Sequence, residues 1–187
     1  MRKLKLQVQI SVDGFIAGPN GEMDWMVWDW DQELKDFVDK ITSPVDTIVL
    51  GRKLAEGFIP YWKEEATKPN AKESGAEKFT ETPKVVFTRT LDTSKWENTT
   101  LAKGSLTSEI KRLKTENGND IIAYGGAEFV SSLIKEGLID EYYFFVNPNL
   151  LGNGMPIFNE LKDNQNLSLI EATAFACGIT VLHYKTS

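Results

Sequence analysis

Two short stretches of this 187-residue chain place glycine and charge where a phosphate could be held. Ile48-Val49-Leu50-Gly51-Arg52-Lys53 is an apolar run that breaks at glycine and continues with two cations. Ile122-Ala123-Tyr124-Gly125-Gly126-Ala127-Glu128 repeats the pattern with a glycine pair. A glycine after a buried strand lets the backbone approach a ligand closely. The free N–H groups of a helix starting there then attract an anion. Arg89, just beyond Lys84-Val85-Val86-Phe87-Thr88, supplies a third cation. One such junction is unremarkable, because short strand-to-helix loops favour glycine, and Arg52 and Lys53 could be solvated surface charges. Two junctions with a basic cluster suit a ligand carrying separated phosphates, such as a dinucleotide. Neither has the G-x-G-x-x-G or G-x-x-x-x-G-K-[ST] spacing, which disfavours a conventional nucleotide-binding loop.

Other catalytic equipment is sparse. A lone cysteine (Cys177) cannot close an internal disulfide. The lone histidine (His183) lies in the alternating run Ile179 to Tyr184, which reads as a strand. Zinc clusters of Cys and His, and Ser-His-Asp or Cys-His triads, are thereby disfavoured. With 21 basic and 27 acidic side chains the formal charge is −6, unlike a nucleic-acid binder. No hydrophobic run would span a membrane, and the opening MRKLKLQVQIS alternates, unlike a signal peptide. The expectation is a soluble, cytoplasmic protein with a small-molecule partner. A proton could come from Asp13, Asp29 or Asp31, which lie in one loop region, or from an ordered water. Each also has a structural reading: Asp13 in a turn, Asp29 and Asp31 as helix caps. Trp25, Trp28 and Trp30 form the densest aromatic group, packed beneath a helix or lining a pocket for a flat substrate.

Alternating strand and helix patterns must position these groups. Leu4, Leu6, Val8, Ile10 and Val12 share one face of a strand. Leu34, Phe37, Val38 and Ile41 mark a helix ended before Pro44, and residues 46–50 form a short strand. The polar stretch from Lys63 to Pro83 predicts a surface excursion with one short helix from Asn70, burying little area. Strands follow at 84–88, 99–102, 120–124 and 138–146, with helix faces at Leu106, Ile110, Leu113 and at Phe129, Val130, Leu133, Ile134. A hairpin over 167–185 turns near Cys177-Gly178. Such alternation predicts one α/β domain over residues 1–187, with a mostly parallel sheet between helices and an antiparallel hairpin at its edge.

Ser11-Val12-Asp13-Gly14-Phe15-Ile16-Ala17-Gly18 and Asn20-Gly21-Glu22-Met23-Asp24-Trp25 resemble the opening of the dihydrofolate reductase superfamily. The resemblance is closer to the RibD C-terminal (riboflavin-biosynthesis reductase) branch. It continues in order through Val49 to Arg52, Pro83 to Arg89, Tyr124 to Phe129, Leu138 to Glu141 and Pro148 to Gly154. Nearly the whole chain is covered.

The resemblance implies a dihydrofolate reductase-like three-layer fold and an NADPH-dependent reductase of a small heterocycle. The substrate would be most like that of 5-amino-6-(5-phosphoribosylamino)uracil reductase or of a pterin or folate reductase. It places the loop from Ile16 to Trp25 beside the nicotinamide, and Gly51, Arg52, Lys53 and Leu54 on the pyrophosphate and 2′-phosphate. Phe87, Thr88 and Arg89 would flank the adenine end, and Gly125, Gly126, Ala127, Glu128, Phe129 and Ser132 the pyrophosphate. A homodimer is expected. Two departures stand out: no carboxylate cleanly matches the one that follows the loop tryptophan in dihydrofolate reductases, and Leu54 replaces a threonine. They leave open a second reading, a catalytically silent nucleotide- or pterin-binding protein on the same fold.

Overall fold

The computed structural model describes residues 1–72 and 75–187. In chain order the elements are β1 (Leu4–Ser11), α1 (Gln32–Thr42), β2 (Val45–Gly51), α2 (Arg52–Glu65), α3 (Ala76–Glu81), β3 (Lys84–Phe87) and β4 (Thr99–Ala102). Then come α4 (Leu106–Thr115), β5 (Asp120–Tyr124), α5 (Ala127–Lys135), β6 (Glu141–Asn147), β7 (Leu167–Ala174) and β8 (Thr180–Thr186). The strands form one sheet in the order β4-β3-β2-β5-β1-β6-β8-β7. Pairings from β4 to β6 are parallel, whereas β8 runs antiparallel to both β6 and β7. Among the described residues, no helix is long and apolar enough to cross a membrane.

The alternation in β1 sends Leu4, Leu6, Val8 and Ile10 to one face, where they pack with Ile110, Leu113, Val130 and Leu133 of α4 and α5. The other face carries two separate cores. Leu34 and Ile41 of α1 pack with Tyr143, Phe145 and Val181, over β6 and β8. Ala55 and Ile59 of α2 pack with Ile48, Leu50, Val86 and Ile122, over β2, β3 and β5. Between them runs β1, whose residues on this face are Lys5, Gln7 and Gln9. The chain leaves β1 toward α1 on one side and returns through β2 and α2 on the other. That divergence leaves β1 between the two cores, at the kind of switch point where open α/β sheets bind ligands.

Two expectations need correction. The 63–83 stretch, of which residues 73–74 lie outside the described residues, is more than a surface excursion in its described part. α2 continues to Glu65, and the short helix begins at Ala76 rather than Asn70. Its Phe79 stacks on Trp62 (centroids 4.2 Å apart) and meets Phe58 and Tyr124 edge-on. The charged flanks hide a single aromatic anchor whose partners are distant in sequence. The strand expected over 138–146 starts at Glu141, because Leu138 and Ile139 are buried in the turn leaving α5.

Candidate functional site

Both glycine junctions lie at the carboxyl ends of neighbouring strands, β2 and β5. Gly51 is the N-cap of α2 and Gly126 that of α5, and among the described residues neither helix start has a side-chain cap. By contrast, Asp31 caps α1 by accepting from the Leu34 N–H (2.8 Å), and Ser105 caps α4. The first-turn N–H groups of α2 and α5 are thus left for an anion. The junctions also touch. A Cβ on Gly51 would stand 2.9 Å from the Cβ of Phe129, so glycine is required for the approach. Gly126 has φ 81°, a conformation L side chains rarely adopt. Leu54 lies over the glycine pair, 3.6 Å from a Cβ built on either.

Charge is arranged around this corner. Arg52 pairs with Glu56 at 2.7 Å, and Lys53 bridges to Glu128 on the other helix start at 3.0 Å. The latter pair is exposed and costs little to open. Arg89 is exposed and forms no ion pair among the described residues. Phe87 packs on Phe129 at 5.2 Å, bringing the end of β3 to the same corner. Thr88 is buried, and its hydroxyl accepts from the Thr90 and Leu91 N–H groups, fixing the turn that presents Arg89. Ser132 donates to the Glu128 carbonyl. The structure therefore gathers Gly51 to Leu54, Phe87 to Arg89 and Gly125 to Phe129 at one edge.

The loop after β1 is fastened rather than free. Asp13 accepts from Ser11 Oγ (2.7 Å) and from the N–H groups of Gly152 (2.6 Å) and Leu151 (3.1 Å). The Ser11 hydroxyl, then the Gly152 N–H, hold its carboxyl down to about 2, so it is ionised and a poor acid at neutral pH. Ile16 is buried in the core, and its N–H donates to the Met155 carbonyl. Asn147, fully buried, accepts from the Val27 N–H and donates to Gln9 Oε1 (2.6 Å). Asn149 donates to the Trp25 carbonyl.

The three tryptophans do not form one cluster. Trp30 stacks on Phe145 (6.0 Å) in the α1 core, Trp28 is 62% exposed, and Trp25 is half-buried with Nε1 on the Glu22 carbonyl. Asp31 is held below the usual carboxylate range by the Leu34 N–H and then that of Cys177, at 2.8 Å each. Asp29 is exposed. A shallow cleft of about 600 Å³ at the amino ends of the strands is bordered by Arg2, Lys114 and Asp120. Its cations are already matched, Arg2 by Asp46 and Lys114 by Asp140.

Motif reading missed Gln7 and Asn147. A signal existed: the central strand of a parallel sheet is covered on both faces and should be apolar throughout, yet Lys5, Gln7 and Gln9 alternate with its apolar residues.

Residues 2–181 match the profile of the RibD C-terminal domain. The chain belongs to that family. It is 32% identical over 184 residues to the uncharacterized protein YyaP of Bacillus subtilis, covering 98% of this chain and 94% of that one. A putative riboflavin biosynthesis protein from Shewanella superposes with TM-score 0.75 at 24% identity, covering 100% and 99% of the two chains. Dihydrofolate reductase from Enterococcus faecalis, complexed with NADP(H), superposes with TM-score 0.65 at 18% identity, covering 99% and 96%. The RibD C-terminal and dihydrofolate reductase-like proteins are reductases, and this chain shares their fold.

Proposed function

We propose that this member of the RibD C-terminal family is an NADPH-dependent reductase of a small heterocyclic substrate. The observation that carries the reading is the pair of uncapped helix starts, α2 and α5, meeting at Gly51 and Phe129 beside Arg52 and Arg89. That corner fits a cofactor with two linked phosphates and a third on its ribose. The first turns of α2 and α5 would hold the pyrophosphate, and Arg52 with Arg89 the 2′-phosphate. Bound there, the cofactor supplies a hydride to the substrate. The chain's own contribution is to orient the acceptor over β1 and to admit a proton. With Asp13 and Asp31 locked by hydrogen bonds, Asp29 or solvent is the proton source.

Residues 6–34 contain no Lys, Arg or His but carry Asp13, Glu22, Asp24, Asp29, Asp31 and Glu33. A phosphorylated substrate would find no cation on this loop, which favours an unphosphorylated ring. The silent-binder reading draws on the two locked carboxylates and on Leu54. Cofactor binding without turnover across pterins, flavin precursors and quinones would favour it.

Substitution of Arg52 by Ala tests the cofactor assignment. Losing a charge-assisted contact should weaken NADPH by about 10–100-fold and leave NADH within a few-fold. Equal losses for both would remove Arg52 from the 2′-phosphate.

A further inference from the structure

Three polar side chains of β1 lie on the sheet face between the α1 and α2 cores. Lys5 is satisfied by Asp120 (2.9 Å) and the Ile41 carbonyl (3.1 Å), and Gln9 by Asn147. Gln7 differs. It is 8% exposed, yet its Oε1 is buried with no hydrogen-bond partner among the described residues. Its register partners are Tyr124 on β5 and Tyr143 on β6. Tyr124 stacks on Phe58 of α2 (5.5 Å), and Tyr143 meets Phe37 of α1 edge-on (6.5 Å). Gln7 therefore lies between the two helix-covered cores, level with the last residue before Gly125-Gly126. A buried amide oxygen without a partner weakens the free protein, and such a group persists where something else completes it.

We propose that Gln7 is the specificity-determining side chain of the substrate site: its Oε1 accepts a hydrogen bond from a ring N–H of the heterocycle. This rests on the reductase reading above, which puts the acceptor ring over β1. Aromatic rings on both flanks and the absence of cations from residues 6–34 suit a flat, uncharged ring whose edge presents an N–H donor. A site built to hydrogen-bond a ligand rejects the analogue lacking that hydrogen, because its own polar group is then left buried and unpaired.

A matched pair of probes tests this. Lumazine carries N–H donors on its pyrimidine ring, and 1,3-dimethyllumazine has both replaced by methyl groups. Calorimetric titration of the NADPH-saturated protein should show lumazine binding at least about tenfold tighter. In Gln7→Met, which keeps the side chain's length, that ratio should collapse toward one with NADPH affinity unchanged. The same variant, measured without ligand, should raise Tm by at least about 2 °C, since it removes an unpaired buried oxygen. Equal binding of the two probes by the native protein, binding of neither, or a ratio unchanged in Gln7→Met would overturn the proposal. So would a lower Tm, which would show that water or a protein group already completes Gln7. A native protein that fails to bind NADPH would instead remove the reductase reading itself.

Discussion

Gly51→Ala probes the contact that joins the two glycine junctions. The backbone at Gly51 (φ −72°, ψ 147°) accepts any residue, so the effect is steric and not conformational. The added Cβ would stand 2.9 Å from Phe129 Cβ and 3.2 Å from its Cγ, well inside ordinary carbon contact near 4 Å. Because the nearer atom is a Cβ, rotation of the Phe129 side chain cannot relieve it, and α5 must shift by roughly 0.5–1 Å. Overpacking of this size costs about 1–3 kcal/mol. For a chain of 187 residues, each kcal/mol lowers Tm by about 2–4 °C. The shift also moves the α5 start away from that of α2, so NADPH should bind at least about tenfold more weakly, as misplacement of this order does elsewhere. Thermal melting followed by circular dichroism and an NADPH titration by tryptophan quenching read the two effects. An unchanged Tm would refute the packing argument. A lower Tm with unchanged NADPH affinity would refute the claim that both helix starts grip one ligand.

Lys84 gives a pH-dependent test. It is 3% exposed, and its ammonium group donates to the carbonyls of Thr80 (3.0 Å) and Thr82 (2.7 Å); burial pushes it down to about 8. Between pH 8 and its ordinary value of 10.5 the unfolded chain holds the proton more tightly, so stability rises with pH, by up to about 3 kcal/mol. Tyrosine works the other way above pH 10, where burial holds Tyr142 up at about 12 while the unfolded chain ionises. Urea unfolding from pH 7 to 10 should therefore show a rise that Lys84→Met reduces, leaving the smaller contribution of Lys78, which burial also lowers; a flat native profile would contradict the assignment. Asn147→Leu should cost about 1–3 kcal/mol by unpairing Val27 N–H and Gln9, and should speed chymotryptic cleavage between Trp25 and Trp30. Unchanged cleavage would show that the loop is held by other contacts.

The two glycine junctions were legible in the sequence because their signals are local: a strand, a glycine and a helix start are contiguous at both Gly51 and Gly126. The loop after β1 was legible only in pieces. Trp25, Trp28 and Trp30 are neighbours in sequence, but the turn tied to Asn147 sends Trp30 beneath α1 and leaves Trp28 in solvent. Asp31 and Asp29 look alike in sequence, and the N–H groups of Leu34 and Cys177 single out Asp31 as a cap. Cys177 is 146 residues away, so no local pattern could supply that partner. Gln7 became visible once the strand order put β1 in the middle of the sheet, since its polar face would be ordinary on an exposed edge.

We propose that the corner between α2 and α5 holds NADPH. Titration of the native protein with NADPH and with NADH, followed by tryptophan quenching, tests it most directly. NADPH should bind saturably and at least about tenfold tighter than NADH, a difference of about 1.4 kcal/mol for the 2′-phosphate. Binding of neither nucleotide at millimolar concentration would contradict it.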